Sequence, residues 1–372
     1  MPATLLPTDA RAALRAPVRD REGALALLHL PGVGPATWRA AMAAHAADAD
    51  AAASARSATN AEWAAARRRA RAAFAEADAR GLALHLPGDP SYPAALHDLP
   101  DPPVTLYTVG DPALMARAPR VAVVGTRQYT PLGERTTRRL VAALSGAGAV
   151  VVSGLARGID TVAHAAALAD GLPTVAVLGT GVDVPYPAGN AALHARIAAH
   201  GCVASEAPPG ATATRGAFPR RNRIVAALAD LVVVVEAGLQ SGALITAGIA
   251  ADLGRPVAAS PGSVEAPTAA GTNQLLRDGA HVLADPADVL GLLGLGRPPA
   301  PPAPAARATP EPDGLTDDER QVWRALATPA PDADVLAERA GLTARRCAAA
   351  LATLELRGCV AVDLLGETRR DS

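Results

Sequence analysis

The stretch VVSGLARGIDTVAH, residues 151–164, decides the fold. The apolar run Ala149–Val152 turns through Ser153 and Gly154 and gives way to a helical pattern. A short Val/Ala run that ends in glycine and then a helix is how a strand buried on both faces of a parallel sheet enters its crossover. The same arrangement recurs upstream, where Val121–Val124 leads into Gly125-Thr126-Arg127. Downstream it recurs where Thr174–Leu178 leads into Gly179-Thr180-Gly181, and again at Leu231–Val235 and Pro256–Ala259. The pattern predicts an α/β fold, a Rossmann-like doubly wound and mainly parallel sheet. In such a sheet ligands sit beyond the carboxyl ends of the strands.

Outward from this body the chain changes character. The Ala-rich, helix-patterned region upstream predicts a helical domain over residues 1–115, ahead of a Rossmann-like domain over 116–296. The tract RPPAPPAPAARATPEPD, residues 297–313, predicts an extended Pro/Ala linker. Residues 314–372 predict a winged-helix-like domain. There Asp334–Ala340 and Ala344–Arg357 flank a Gly341-Leu342-Thr343 turn, with Cys359–Leu365 as a wing.

Composition removes several function classes. Half of the 372 residues are hydrophobic, 19% are charged, and the net charge is −1, which argues against wholesale disorder. All 35 basic residues are arginine, so no Schiff-base lysine and no P-loop lysine exist. Cys202, Cys347 and Cys359 are too far apart for a disulfide framework or a Cys-x-x-Cys site. No apolar run reaches the length of a membrane span, and the charged amino terminus lacks the core of a signal peptide. A cytoplasmic protein with no membrane contact is expected.

The strand ends carry the candidate chemistry. Gly125, Thr126 and Arg127 follow the first strand, and Ser153, Gly154, Arg157 and Gly158 follow the second. Glycine turns before helix amino termini suit an anion, and two arginines at one edge make phosphate the natural one. Tight strand-to-helix turns alone would also use such glycines. Neither the first loop nor Gly179-Thr180-Gly181-Val182 completes a Gly-x-Gly-x-x-Gly dinucleotide fingerprint. The segment RGAFPRRNR, residues 215–223, holds four arginines and reads as a basic loop at the same edge. In it Arg220, Arg221 and Arg223 offer phosphate forks, Asn222 a base or sugar contact, and Phe218 a stacking face. Glu206 and Glu236 follow apolar runs, where they either orient these arginines or serve catalysis. His164 reads as a packing residue, and no cluster has metal-ligand spacing.

Taken in order, these motifs resemble the DNA-processing protein A family, also called DprA or Smf. The matching stretches are VAVVGTR (121–127), VVSGLARGIDTVAH (151–164), VLGTGVDVPYPAGN (177–190), SEAPPG (205–210), FPRRNRIVAAL (218–228), VVVVEAGLQSGALITA (232–247) and GTNQLLRDGA (271–280). The resemblance implies a dimeric Rossmann-like protein that binds single-stranded DNA and loads the RecA recombinase on it in natural transformation, without catalysis or cofactor. By motif it assigns DNA contacts to Gly125, Thr126, Arg127, Ser153, Gly154, Arg157, Gly158, Phe218, Arg221, Asn222 and Arg223. Thr126 stands where the family commonly has Ser. Thr130-Pro131-Leu132-Gly133 replaces its usual Tyr-Gly, and the Ala211–Ala217 stretch is less Pro-rich than in similar sequences.

Leu30-Pro31-Gly32-Val33-Gly34-Pro35 looks like the hairpin of a helix-hairpin-helix element, yet charges in the first 119 residues balance, which favours a structural role. The carboxyl-terminal domain has slightly more carboxylates than arginines, which favours protein contact, although Arg345 and Arg346 could touch phosphates. Leu275, Leu276 and Val282 are dimer-interface candidates by position. Two rival readings remain open. One is a nucleotide or nucleoside hydrolase using Glu206 or Glu236, although the Pro-Gly-Gly-x-Gly-Thr loop of such enzymes is missing. The other is a scaffold that binds a small nucleotide.

Overall fold

The computed structural model describes residues 21–39, 58–295, 311–327, 330, 333–362 and 368–370. The amino-terminal twenty residues read for a leader and most of the Pro/Ala tract lie outside them. The chain forms two compact units, residues 1–297 and 298–372.

In the first unit the Val-rich runs form β3 (Arg120–Val124), β4 (Val150–Ser153), β5 (Thr174–Leu178), β7 (Leu231–Val234) and β8 (Val257–Ala259), as the sequence predicts. Four more strands complete the sheet: β1 (Ala83–His85), β2 (Leu106–Gly110), β6 (Cys202–Ser205) and β9 (His281–Val282). The order is β1-β2-β6-β5-β4-β3-β7-β8-β9, parallel except that β2 runs antiparallel to both β1 and β6. Register places Val121 beside Val151 on one side and Leu231 on the other.

Alternation along the strands builds two cores. Ala122, Val124, Val150, Val152 and Val232 face α6 (Ala217–Leu228) and α7 (Gly242–Asp252). Val121, Val123, Val151 and Val233 face α3 (Pro131–Ser145) and α4 (Ile159–Ala169), with α9 (Asp288–Leu292) joining them. Helices α5 (Ala191–His200) and α8 (Ala270–Arg277) complete the crossovers. Thr130 caps α3 through the Gly133 N–H, and Pro131 occupies its first turn, where the missing N–H costs nothing. The departure from the family pattern at this point therefore still starts a helix.

The expected helical domain over 1–115 is corrected. Among the described residues its α-helices are α1 (Arg21–Leu28) and α2 (Asn60–Ala79), whereas residues 83–110 give two strands to the sheet. Those strands are short and separated by a Pro-rich segment, so no period shows. A capping box between Thr59 and Glu62 starts α2, and Trp63, Ala66 and Ala70 bury one face against α1. Small residues every four positions let the helix backbones approach closely. The same core runs on into Leu155, Ala176, Leu178 and Val182 of the sheet layer. The amino-terminal helices are thus seated directly on the body.

The second unit is a winged helix: α10 (Asp317–Ala325), α11 (Ala333–Ala340) and α12 (Ala344–Leu356), followed by the hairpin of β10 (Val360–Val362) and β11 (Thr368–Arg370). Trp323, Leu336, Cys347 and Leu354 form its core. Arg346 grips both carboxylate oxygens of Asp318, at 2.9 and 2.5 Å, so only Arg345 of the pair remains for a phosphate.

Candidate nucleic-acid interface

Strand β3 is the first parallel strand laid down, and the chain adds β4 to β6 on one side before returning to add β7 to β9 on the other. The carboxyl ends of β3, β4 and β7 therefore surround the point where strand order reverses, the place a doubly wound sheet opens a crevice. A cleft of about 910 Å³ occupies it, lined among others by Gly125, Thr126, Arg127, Arg221, Asn222 and Ser241. A smaller compartment of about 340 Å³ shares Arg127 and Arg221 and adds Gly154, Arg157 and Tyr186.

Protein carboxylates take some of the backbone amides that follow β3 and β4. Ahead of α3, the Glu236 carboxylate accepts from both the Thr130 N–H (2.9 Å) and its hydroxyl. At α4, Asp160 accepts from the Gly154 and Ala156 N–H groups at 3.0 and 3.3 Å. Protein carboxylates thus already engage amides at both strand ends. The positively charged groups that line the clefts for an incoming anion are arginine side chains.

Arg221 is the centre of these side chains. It is 8% exposed, its Nε has no hydrogen-bond partner, and it lines both clefts. Its guanidinium stands where a Cβ on residue 154 would be, so only glycine fits there. Gly158, at φ +92°, is constrained as well, because a Cβ would strike the Thr126 carbonyl that receives the Ile159 N–H. Burial pushes the Arg221 pKa down, and the charge of Asp160 offsets this in part. Burial likewise raises the Asp160 pKa, against the pull of Arg221 and the loop amides. Arg127, Arg157 and Arg215 are exposed around this buried charge and form no ion pair among the described residues. Ser153 is fully buried and gives its hydroxyl proton to the Val123 carbonyl, so it shapes the β3–β4 junction.

The basic segment is not a loop. Its residues from Ala217 onward are the start of α6, with Pro219 in the first turn. This splits the arginines by helix face. Arg221 turns to the cleft, whereas Arg223 is buried against Glu206, with Nη2 at 2.9 and 2.8 Å from the two carboxylate oxygens and Nε 3.2 Å from Asp101. Arg220 pairs with Glu206 from outside, at 2.7 Å. Arg220 and Arg223 thus lie off the cleft, and Arg223 fastens α6 to neighbouring segments. Asn222 lines the cleft and donates to the Gly242 carbonyl, at 3.2 Å.

Phe218 meets an aromatic partner that sequence reasoning missed. Tyr186 lies with its ring centroid 5.0 Å from that of Phe218, tilted by 35°, and is 44% exposed. The signal available was its place in VPYPAGN, at the end of the β5 loop. Glu206 orients arginines as expected, while Glu236 braces α3. His164 is fully buried and packs against Thr174.

No group of acidic, His and Cys residues suited to a metal occurs among the described residues, and no described helix is long and apolar enough to cross a membrane. The family described as DNA recombination-mediator protein A matches residues 83–294, and the DprA winged helix domain matches residues 298–363. A putative DNA processing protein DprA of Mycobacterium tuberculosis H37Rv is 44% identical over 262 residues, which are 69% of this chain and 66% of that protein. The match thus spans just under two thirds of that relative. DNA processing protein DprA of Streptococcus pneumoniae is 42% identical over 202 residues, 54% of this chain and 71% of the relative. The solved structure of the S. pneumoniae protein superposes with a TM-score of 0.60 at 31% identity, covering 77% of this chain and 98% of that one. A Helicobacter pylori DNA processing protein A, described for its single-stranded DNA binding mode, superposes with a TM-score of 0.53 at 33% identity, over 57% and 95%.

Proposed function

The chain belongs to the DNA-processing protein A family, and from that premise we propose that it is a non-catalytic single-stranded DNA-binding protein. In this reading it protects incoming strands in the cytoplasm and loads the RecA recombinase on them during natural transformation, with no cofactor. The observation that carries the reading is Arg221, a buried guanidinium with an unpartnered Nε, at the strand-order reversal between exposed Arg127 and Arg157 and the Tyr186–Phe218 pair. Arginine forks would take successive phosphates while the aromatic pair offers a stacking face, the combination that holds single strands without reading sequence. Gly125, Thr126, Gly154, Gly158 and Asn222 would shape the path, and Ser153 would support it from below. The rival hydrolase reading is weakened because Glu206 and Glu236 are both engaged in protein contacts. RecA as partner and the homodimer rest on the family. Val282, 57% exposed on the edge strand β9, suits a subunit contact better than the half-buried Leu275 and Leu276.

Fluorescence anisotropy of the protein with labelled single-stranded and duplex oligonucleotides over a salt series tests this. The expected result is a single-strand preference with a log–log salt slope of about −0.7 per neutralised phosphate. Absence of binding at moderate salt would overturn it.

A further inference from the structure

Tyr186 is carried by the 180–187 loop after β5 and Phe218 by the first turn of α6, into which a strap of residues 206–216 leads. The loop and the strap are tied together at one small junction. Asp183 accepts the Gly210 N–H on Oδ1 at 2.8 Å, and the Gly181 N–H donates to the Ala211 carbonyl at 2.9 Å. A Cβ at Gly181 would come within 2.7 Å of both Asp183 Oδ1 and the Pro208 carbonyl, so the approach admits no side chain there. The second oxygen of Asp183, Oδ2, accepts from Arg80 at 2.5 Å. Arg80 is the C-cap of α2, is further held by Glu76, and lines neither cleft. Beside the junction Val182 is buried in the core it shares with α1 and α2.

We propose that Asp183 is a positioning residue through which Arg80, on the amino-terminal helix, sets the spacing of the Tyr186–Phe218 pair and so the hold on a single strand. One carboxylate bridges three elements: α2, the β5 loop and the strap. When Arg80 is engaged, Oδ1 stays on Gly210 and the strap stays against the loop, so both rings remain in register for a base. When it is lost, the carboxylate turns freely to water and the strap is released at Gly210. The amino-terminal helices thereby gain a role in strand binding without touching the strand. The inference rests on the single-strand reading above.

The test compares the full chain with Arg80→Ala, Arg80→Lys and Asp183→Asn, each also in a Tyr186→Ala background, by single-strand anisotropy and by hydrogen exchange over residues 208–216. Arg80→Ala is expected to weaken binding about fivefold, the upper range for a partly exposed pair, and to speed exchange in the strap. Arg80→Lys should recover most of the loss. Asp183→Asn should behave like Arg80→Ala, because its amide faces the guanidinium with no charge to hold it. In the Tyr186→Ala background the Arg80→Ala loss should vanish. If the wild type binds no strand, the functional reading falls and this inference with it. If the wild type binds and Arg80→Ala equals it, or if Arg80→Ala loses as much without Tyr186, the inference alone is overturned.

Discussion

His164 Nδ1 gives its proton to the Thr174 hydroxyl, 2.7 Å away, because that hydroxyl has already committed its own proton to the Val151 carbonyl at 2.9 Å. The other ring nitrogen, Nε2, is therefore the bare one, and it is buried without a partner. Protonation would place a buried charge in the ring, which the Ser153 backbone offsets only in small part. Burial first, and then the nearby charge of Arg221, push the His164 pKa down to about 3.

Stability should therefore fall on acidification. The folded pKa lies below the ordinary 6.5, so the contribution is fully present above pH 6.5 and is lost as pH falls from there towards 3. The slope from this residue alone is about 1.4 kcal/mol per pH unit, roughly 2 kcal/mol between pH 6.5 and 5. Asp160, with its raised pKa, has the opposite sign: its contribution is present at low pH and is lost as pH rises through the folded value. Urea unfolding of wild type and His164→Asn at stepped pH isolates the histidine. Equal slopes for the two would contradict the assignment.

Gly154→Ala should act at a distance as an Arg221 variant. The added methyl occupies the place of the guanidinium and expels it. Losing a charged hydrogen bond to phosphate costs about 1.5–3 kcal/mol, so single-strand affinity should drop roughly ten- to a hundredfold. Anisotropy alongside Arg221→Ala checks this, and the double variant should bind no worse than either single one.

Arg127→Ala and Arg157→Ala should weaken binding to all sequences alike. Each should flatten the log–log salt slope by about 0.7, the share of a single neutralised phosphate. A variant that changes affinity for one sequence only would place its arginine on a base.

Arg223→Ala should mainly cost stability. Removing it leaves Glu206 with the exposed Arg220 alone and frees Asp101, a loss of about 1.5–3 kcal/mol for the charged hydrogen bonds given up. Chemical denaturation should show this fall, while strand affinity of the folded fraction stays near wild type.

Strands β3, β4, β5, β7 and β8 were legible because each is a short Val/Ala run buried on both faces, whereas β6 and the exposed two-residue β9 were not read. Nor were β1 and β2, since strands of three and five residues separated by a Pro-rich segment carry no readable period. Within the site, Arg127 and Arg157 could be placed from their strand ends alone. The basic segment misled because Pro219 suggests a loop, yet proline is welcome in a first helical turn. Once that stretch is helical, Arg221 and Arg223 must face different neighbours, and only the packing of α6 decides which one enters the cleft. Tyr186 was hidden for a related reason, because its partner Phe218 is 32 residues away and meets it only through tertiary structure.

Arg127, Arg157 and Arg221 present side chains to the clefts, and this bears on how a strand bound there would leave. A cradle of backbone amides holds one phosphate at one fixed point and lets go all at once. Arginine heads on flexible stems follow a phosphate through several ångströms and detach singly. A polymer gripped in this way can be peeled away by a competitor nucleotide by nucleotide, with no step at which the whole bond must break.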